Sequence, residues 1–144
     1  MRMQEPECGF TVTAVDPDAD YLGIEIRAYN ERFAGSTRIY AGLDNLSRFA
    51  GTIEGFPTGH LDSRAYEFGT RDPSFAGGYC SVTLSCLDRA GHVGVEVVLE
   101  DDDGRYAPAP AKFSFRTEPA AIDRFVERLR RVEQERSGSA VLVL

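Results

Sequence analysis

The chain has 144 residues, 42% of them hydrophobic and 27% charged, with a net charge of −7. That length suits a single domain, residues 1–144, with a core large enough to fold unaided, and the acidity argues against a grip on phosphate backbones, which needs clustered Lys and Arg. No apolar run approaches the ~18 residues of a membrane span, the first residues lack the apolar stretch of a signal peptide, and three Cys, an odd number, argue against a disulfide framework. The expected setting is therefore cytoplasmic and reducing, with no membrane and no nucleic acid as partner.

Residues 10–15 alternate Phe, Thr, Val, Thr, Ala, Val, the pattern of a strand. Asp16-Pro17-Asp18-Ala19-Asp20 follows. Residues 21–29 then alternate again, with Leu22, Ile24, Ile26 and Ala28 on one face and Tyr21, Glu25, Arg27 and Tyr29 on the other. Two strands joined by acidic residues and a proline predict a hairpin. The three alternating carboxylates resemble the opening of a calcium loop, but an EF-hand needs Gly at its sixth position and Glu at its twelfth. Here those positions are Tyr21 and Arg27, and the flanks read as strands, so the segment is a turn. Residues 36–41 are a third strand.

A helix comes next. Leu43, Leu46, Phe49, Ala50 and Ile53, and at its end Phe56, fall on one stripe. Asp44 is placed to cap its start, and Gly55 with Pro57 to end it. Residues 57–79 show little pattern beyond a short run at 65–69. An irregular segment of that length is either functional or mobile. Read as a lid over one end of the sheet, it would bring His60, Asp62, Arg64, Tyr66 and Arg71 to a ligand.

Residues 80–87 and 92–99 are alternating runs joined by Asp88-Arg89-Ala90-Gly91, a hairpin loop. Setting Leu87 opposite His92 places Cys86 against Val93 and Cys80 against Leu99. The inner face is then Cys80, Val82, Leu84 and Cys86 with Val93, Val95, Val97 and Leu99. Ser81, Thr83, Ser85, His92, Glu96 and Val98 face outward. Glu100, Asp101, Asp102 and Asp103 reach Gly104 in an acidic turn, and Phe113 and Phe115 alternate with Lys112, Ser114 and Arg116 in a further strand. Glu118-Pro119 opens a second helix, with Pro at a tolerated first-turn position. Its apolar stripe is Ile122, Phe125, Val126, Leu129 and Val132; Arg124, Arg128 and Arg131 lie opposite. Between Pro119 and Arg136 five Arg meet four acidic residues, a local positive excess in an acidic chain. After Ser137-Gly138-Ser139 the residues Ala140, Val141, Leu142, Val143 and Leu144 are apolar and β-prone. They can form an edge strand within the fold or pair with a second copy as a homodimer. The expected class is α+β: one antiparallel sheet of about six strands with two helices packed on one face.

Catalytic and cofactor motifs are missing from the sequence. Cys80 and Cys86 lie ~20 Å apart along one strand and share no metal, and no Cys/His spacing suits zinc. His92 and Cys86 fall on opposite faces of their hairpin, so they make no nucleophile–base pair. His60-Leu61-Asp62-Ser63 holds the residue types of a hydrolase triad, but triads assemble across a fold, and there is no G-x-S-x-G. No phosphate-binding glycine loop occurs. No cofactor and no metal are therefore expected. What remains is a polar sheet face carrying Tyr21, Glu25, Tyr29 and Glu96, together with the acidic run Glu100, Asp101, Asp102 and Asp103. Tyrosines beside charges suit protein recognition, and the sign of the charge suits a basic protein.

Residues 79–129 carry a resemblance. The hairpin with Gly91-His92-Val93-Gly94-Val95-Glu96-Val97-Val98-Leu99, the strand after it and Glu118-Pro119 opening an amphipathic helix resemble a group of small bacterial proteins, over about a third of the chain. The group has no catalytic motif to carry over. Some small acidic bacterial proteins of this kind look like immunity proteins, which bind and silence a toxin. The resemblance thus implies a non-enzymatic binding module. The alternatives are a small-ligand binder or enzyme using the 57–79 loop, and a structural subunit that dimerises through its last strand.

Overall fold

The computed structural model describes residues 9–70, 77–101 and 109–143. In chain order the elements are β1 (Gly9–Pro17), β2 (Leu22–Tyr29), β3 (Ala34–Ala41), α1 (Asn45–Ile53), β4 (Ser63–Gly69), β5 (Tyr79–Cys86), β6 (Val93–Asp101), β7 (Ala109–Thr117), α2 (Pro119–Glu135) and β8 (Ser139–Val143). The class is α+β, as expected, but the strands do not make one sheet of six. They make two antiparallel sheets of four, ordered β3-β2-β1-β8 and β4-β5-β6-β7. Asp102, Asp103, Arg71, Cys8 and Leu144 lie outside the described residues.

The alternating runs behave as their periodicity requires. In the β5–β6 hairpin Cys80 lies opposite Leu99 and Cys86 opposite Val93, the register that follows from setting Leu87 against His92. Phe113 and Phe115 point inward from β7 while Lys112, Ser114 and Arg116 point out. The apolar C-terminal run pairs within the chain, as β8 against the outer side of β1. Two features depart from expectation. Residues 63–69, inside the stretch read as irregular, form β4 against β5. Asp44 does stand at the N-cap of α1, but its carboxylate makes no capping bond and pairs instead with Arg48 at 2.9 Å.

The cap of α1 comes from elsewhere. Glu133, on α2, accepts the backbone N–H of Ser47 at 3.2 Å and also holds the Ser47 hydroxyl. A carboxylate at the third helical amide is the service a local cap would give. Supplied from α2, it also fixes the angle between the helices. Arg130 of α2 reinforces the contact with a bidentate pair to Glu54, both bonds 2.9 Å. This pair is half-exposed, so solvent screening leaves it a small contribution to stability.

Phe49 of α1 sits where the layers meet. Its ring is 6.2 Å from Phe10 on β1, 5.1 Å from Phe68 on β4 and 5.8 Å from Phe125 on α2, mostly edge-to-face. It thus touches both sheets and the other helix. All four phenylalanines are fully buried.

The sheets also meet along two seams. The two buried polar side chains among the described residues are Thr37 and Thr117. Thr37, on β3, donates to the carbonyl of Glu100 on β6 at 3.0 Å. Thr117, on β7, donates to the carbonyl of Val143 on β8 at 2.8 Å. Each threonine satisfies a carbonyl of the opposite sheet, which removes the cost of leaving that group buried and unpaired. Beside the first seam the amide of Gly78 donates to the carbonyl of Arg38 at 2.8 Å. A Cβ at Gly78 would collide with the Thr37 side chain and the Glu100 carbonyl, so the approach requires glycine. No described helix is long and apolar enough to cross a membrane.

Replacing Phe49 by Ala removes a ring packed against all three neighbouring layers. We expect a loss of about 3–5 kcal/mol in unfolding free energy by urea denaturation. A loss under about 1 kcal/mol would show that the ring does not organise the core.

Candidate functional site

The β1–β2 turn fixes the geometry of the acidic segment. Asp18 N–H donates to the carbonyl of Tyr21 at 3.0 Å, and the Asp18 carboxylate accepts the backbone N–H of Asp20 at 3.1 Å. The side chain therefore closes its own turn, as short acidic residues do. Register shifts between Ala14 and Asp16, so Asp16 comes opposite Gly23. A Cβ on Gly23 would meet both the side chain and the carbonyl of Asp16. A bulge paired with a glycine thus seats the Asp16 backbone close against β2. No three His, Cys, Asp or Glu side chains among the described residues converge as a metal site.

Beside this turn lies an aromatic pair. Tyr21 stacks edge-to-face on Tyr40 with ring centroids 5.3 Å apart. Tyr40 ends β3 and is half-exposed, as is nearby-in-sequence Leu43. The Asp16 carboxylate, then partial burial, then Asp18 hold the Tyr21 phenol above its ordinary value. Two carboxylates of the turn thus act on the tyrosine pair through their charge. Behind the patch, Arg136 donates to the Tyr21 carbonyl at 3.2 Å, and Ala14 N–H donates to the carbonyl of Gly138 at 3.0 Å. The end of α2 and the entry to β8 thereby brace the turn.

The sequence places Tyr21, Glu25, Tyr29 and Glu96 on a polar sheet face and Glu100 and Asp101 in an acidic turn beside it. The structure separates them. Tyr21, Glu25 and Tyr29 belong to the first sheet, with Tyr21 and Tyr29 at opposite ends of β2, about 25 Å apart. Glu25 lies across from Arg38. Glu96 is on the outer face of the second sheet, 3.5 Å from Lys112. Glu100 and Asp101 lie at the seam, where the Asp101 carboxylate is 3.2 Å from the Thr37 hydroxyl. Tyr40 was not singled out. Its signal was present in the sequence, because it alternates outward with Arg38 in the third strand, but only the β2–β3 register shows that it meets Tyr21.

The residues of the 57–79 segment have partners of their own. Arg64 donates to the carbonyls of Thr52 and Glu54 at 3.2 and 2.7 Å, and to both oxygens of Asp62. Its guanidinium also lies 5.2 Å from the centroid of the Phe56 ring. A cation at the C-terminal carbonyls of α1 meets both their hydrogen-bonding need and the helix dipole. Asp62 in turn accepts the Thr58 backbone N–H at 2.9 Å. Tyr66 donates from its hydroxyl to the Asn45 side chain at 2.6 Å and packs on Phe49 and Phe68, and burial raises its phenol. His60 is exposed.

In the β5–β6 hairpin, Cys86 Sγ donates to the carbonyl of Asp88 at 3.1 Å, while His92 Nδ1 lies 2.6 Å from Asp88 Oδ2. The histidine's partner is thus a carboxylate four residues away. Cys80 is fully buried, and burial pushes its thiol far up.

With this geometry in view, the chain matches no known protein family, no curated protein and no solved structure.

Asp62 yields a pH prediction. The Arg64 bonds first, then the Thr58 amide, hold its carboxyl at about 2, below its ordinary 3.8. Its contribution to stability is present above the ordinary value and is lost as pH falls toward 2. D62N should melt below wild type at neutral pH, and the difference should close between about pH 4 and pH 2. A gap in melting temperature that persists to pH 2 would mean that Asp62 does not act through its charge.

Proposed function

We propose that this protein is a non-enzymatic binding module whose partner presents a basic surface, an immunity-type inhibitor of a basic protein being the sharpest form of that role. The observation that carries the reading is the Tyr21–Tyr40 pair with Asp16 and Asp18 at its rim. A guanidinium or ammonium group meets two complementary features there. Tyrosine faces attract it through their quadrupole, and carboxylates accept its hydrogen bonds. The net charge of −7 steers such a partner toward the chain from a distance, and steering of that kind weakens with salt. The patch is also held rigidly, by a side-chain-closed turn, a bulge against Gly23 and the Arg136 bond, so little ordering entropy opposes binding.

Affinity capture from the source cell with two baits tests this reading. Wild type should retain a protein with a basic surface, and the triple variant D16N/D18N/Y40A should lose it. Retention should also fall as salt rises. The same proteins on both baits, or no protein on either, would overturn the proposal.

A further inference from the structure

A second feature lies away from the acidic turn. Where β7 leads into α2, a cleft of about 400 Å³ opens, lined by His92, Arg116, Thr117, Glu118, Arg124 and Val143. Its walls come from four parts of the chain: the β5–β6 hairpin, the end of β7, the first turns of α2 and β8. Arg116 points outward from β7 opposite Gly94, over which the Leu87 side chain lies. Arg124 projects from the second turn of α2. Neither arginine has an ion-pair partner among the described residues, whereas Arg48, Arg64 and Arg130 each do. His92 completes the set. Its Nδ1 is held by Asp88, which fixes the ring and leaves Nε2 as its other polar atom.

Two uncompensated guanidiniums facing one concavity repel each other, and they do so in a chain that is acidic as a whole. Glu118, also in the lining, offsets one of the two charges. Asp88, bonded to His92, brings a second carboxylate to the rim, so the cleft offers paired guanidinium forks and no large net charge. The Thr117 hydroxyl is committed to the Val143 carbonyl, so the donors free to serve a ligand are the two guanidiniums. Guanidinium forks match the paired oxygens of an oxyanion.

We propose that this cleft binds a small molecule through a terminal oxyanion, a phosphate or a carboxylate, held by Arg116 and Arg124 with His92 at the rim. The site is independent of the acidic patch, and neither proposal depends on the other.

The test is an NMR titration of the full chain at constant ionic strength, with inorganic phosphate in one arm, succinate in another and chloride as control. The expected result is saturable shifts at residues 92, 116–118 and 124 with phosphate or succinate, and the tighter of the two names the ligand class. In R116Q/R124Q the affinity should fall at least tenfold while the melting temperature stays near wild type. The single variant R124Q, on an exposed helix face, should weaken binding in the same direction and guards against a misfolded double variant. Shifts that never saturate, shifts that match the chloride control, or R124Q binding as tightly as wild type would each overturn the proposal.

Discussion

The packing around Phe49 is the constraint on which the rest depends. A nine-residue helix is too short to hold itself together in water and must gain its stability from the face it buries. That face presents Leu46, Phe49, Ala50 and Ile53, all buried. Phe49 meets Phe10, Phe68 and Phe125, one from each surrounding layer. The two four-stranded sheets share one core with both helices, and Phe49 of α1 reaches each sheet and α2. Glu133 at one end of α1 and Arg64 at the other satisfy the backbone groups that so short a helix exposes at its termini.

The same constraint decides where polar chemistry is allowed. Among the described residues, the buried hydroxyls of Thr37 and Thr117 close the seams. Arg64, Asp62 and Tyr66, which look like candidate site residues in a list of polar types, are bound into the support of α1 and β4. The two sites proposed above lie at the periphery and carry opposite kinds of charged group. The β1–β2 turn offers carboxylates beside a tyrosine pair. The entry to α2 offers guanidiniums around a cleft. Both sit where strands end and the backbone changes direction, which is where rigid scaffolds commonly present their binding groups.

Legibility in the sequence followed the range of the interaction. The β1–β2 and β5–β6 hairpins could be read because alternation, turn residues and register all lie within some twenty residues. The α2 stripe could be read for the same reason. β4 was harder. Its inward residues are Arg64, Tyr66 and Phe68, and two of those carry polar tips, so the alternation does not look apolar. Asp44 occupied the right position for a cap, yet lost that role to a carboxylate 89 residues further on. For the proposed patch, Tyr21 stood out in the sequence with Glu25 and Tyr29, Asp16 and Asp18 read only as a turn, and Tyr40 enters only through strand pairing.

By itself, the sequence determined the class, α+β, and the inner and outer faces of β2, β5, β6 and β7, because period-two and period-3.6 patterns are local properties of the backbone. It also determined that no calcium loop opens at Asp16, since a strand stands where such a loop would need its Gly and Glu, although the structure extends β1 through Asp16 and Pro17 and turns only after them. Only the tertiary structure decided that the strands divide into two sheets, that β8 returns to pair with β1, that Tyr40 joins Tyr21, and that Arg116 and Arg124 line one cleft. Each of those facts depends on contacts between residues distant along the chain. Such contacts are selected by how the whole core packs, and a one-dimensional pattern does not encode that choice.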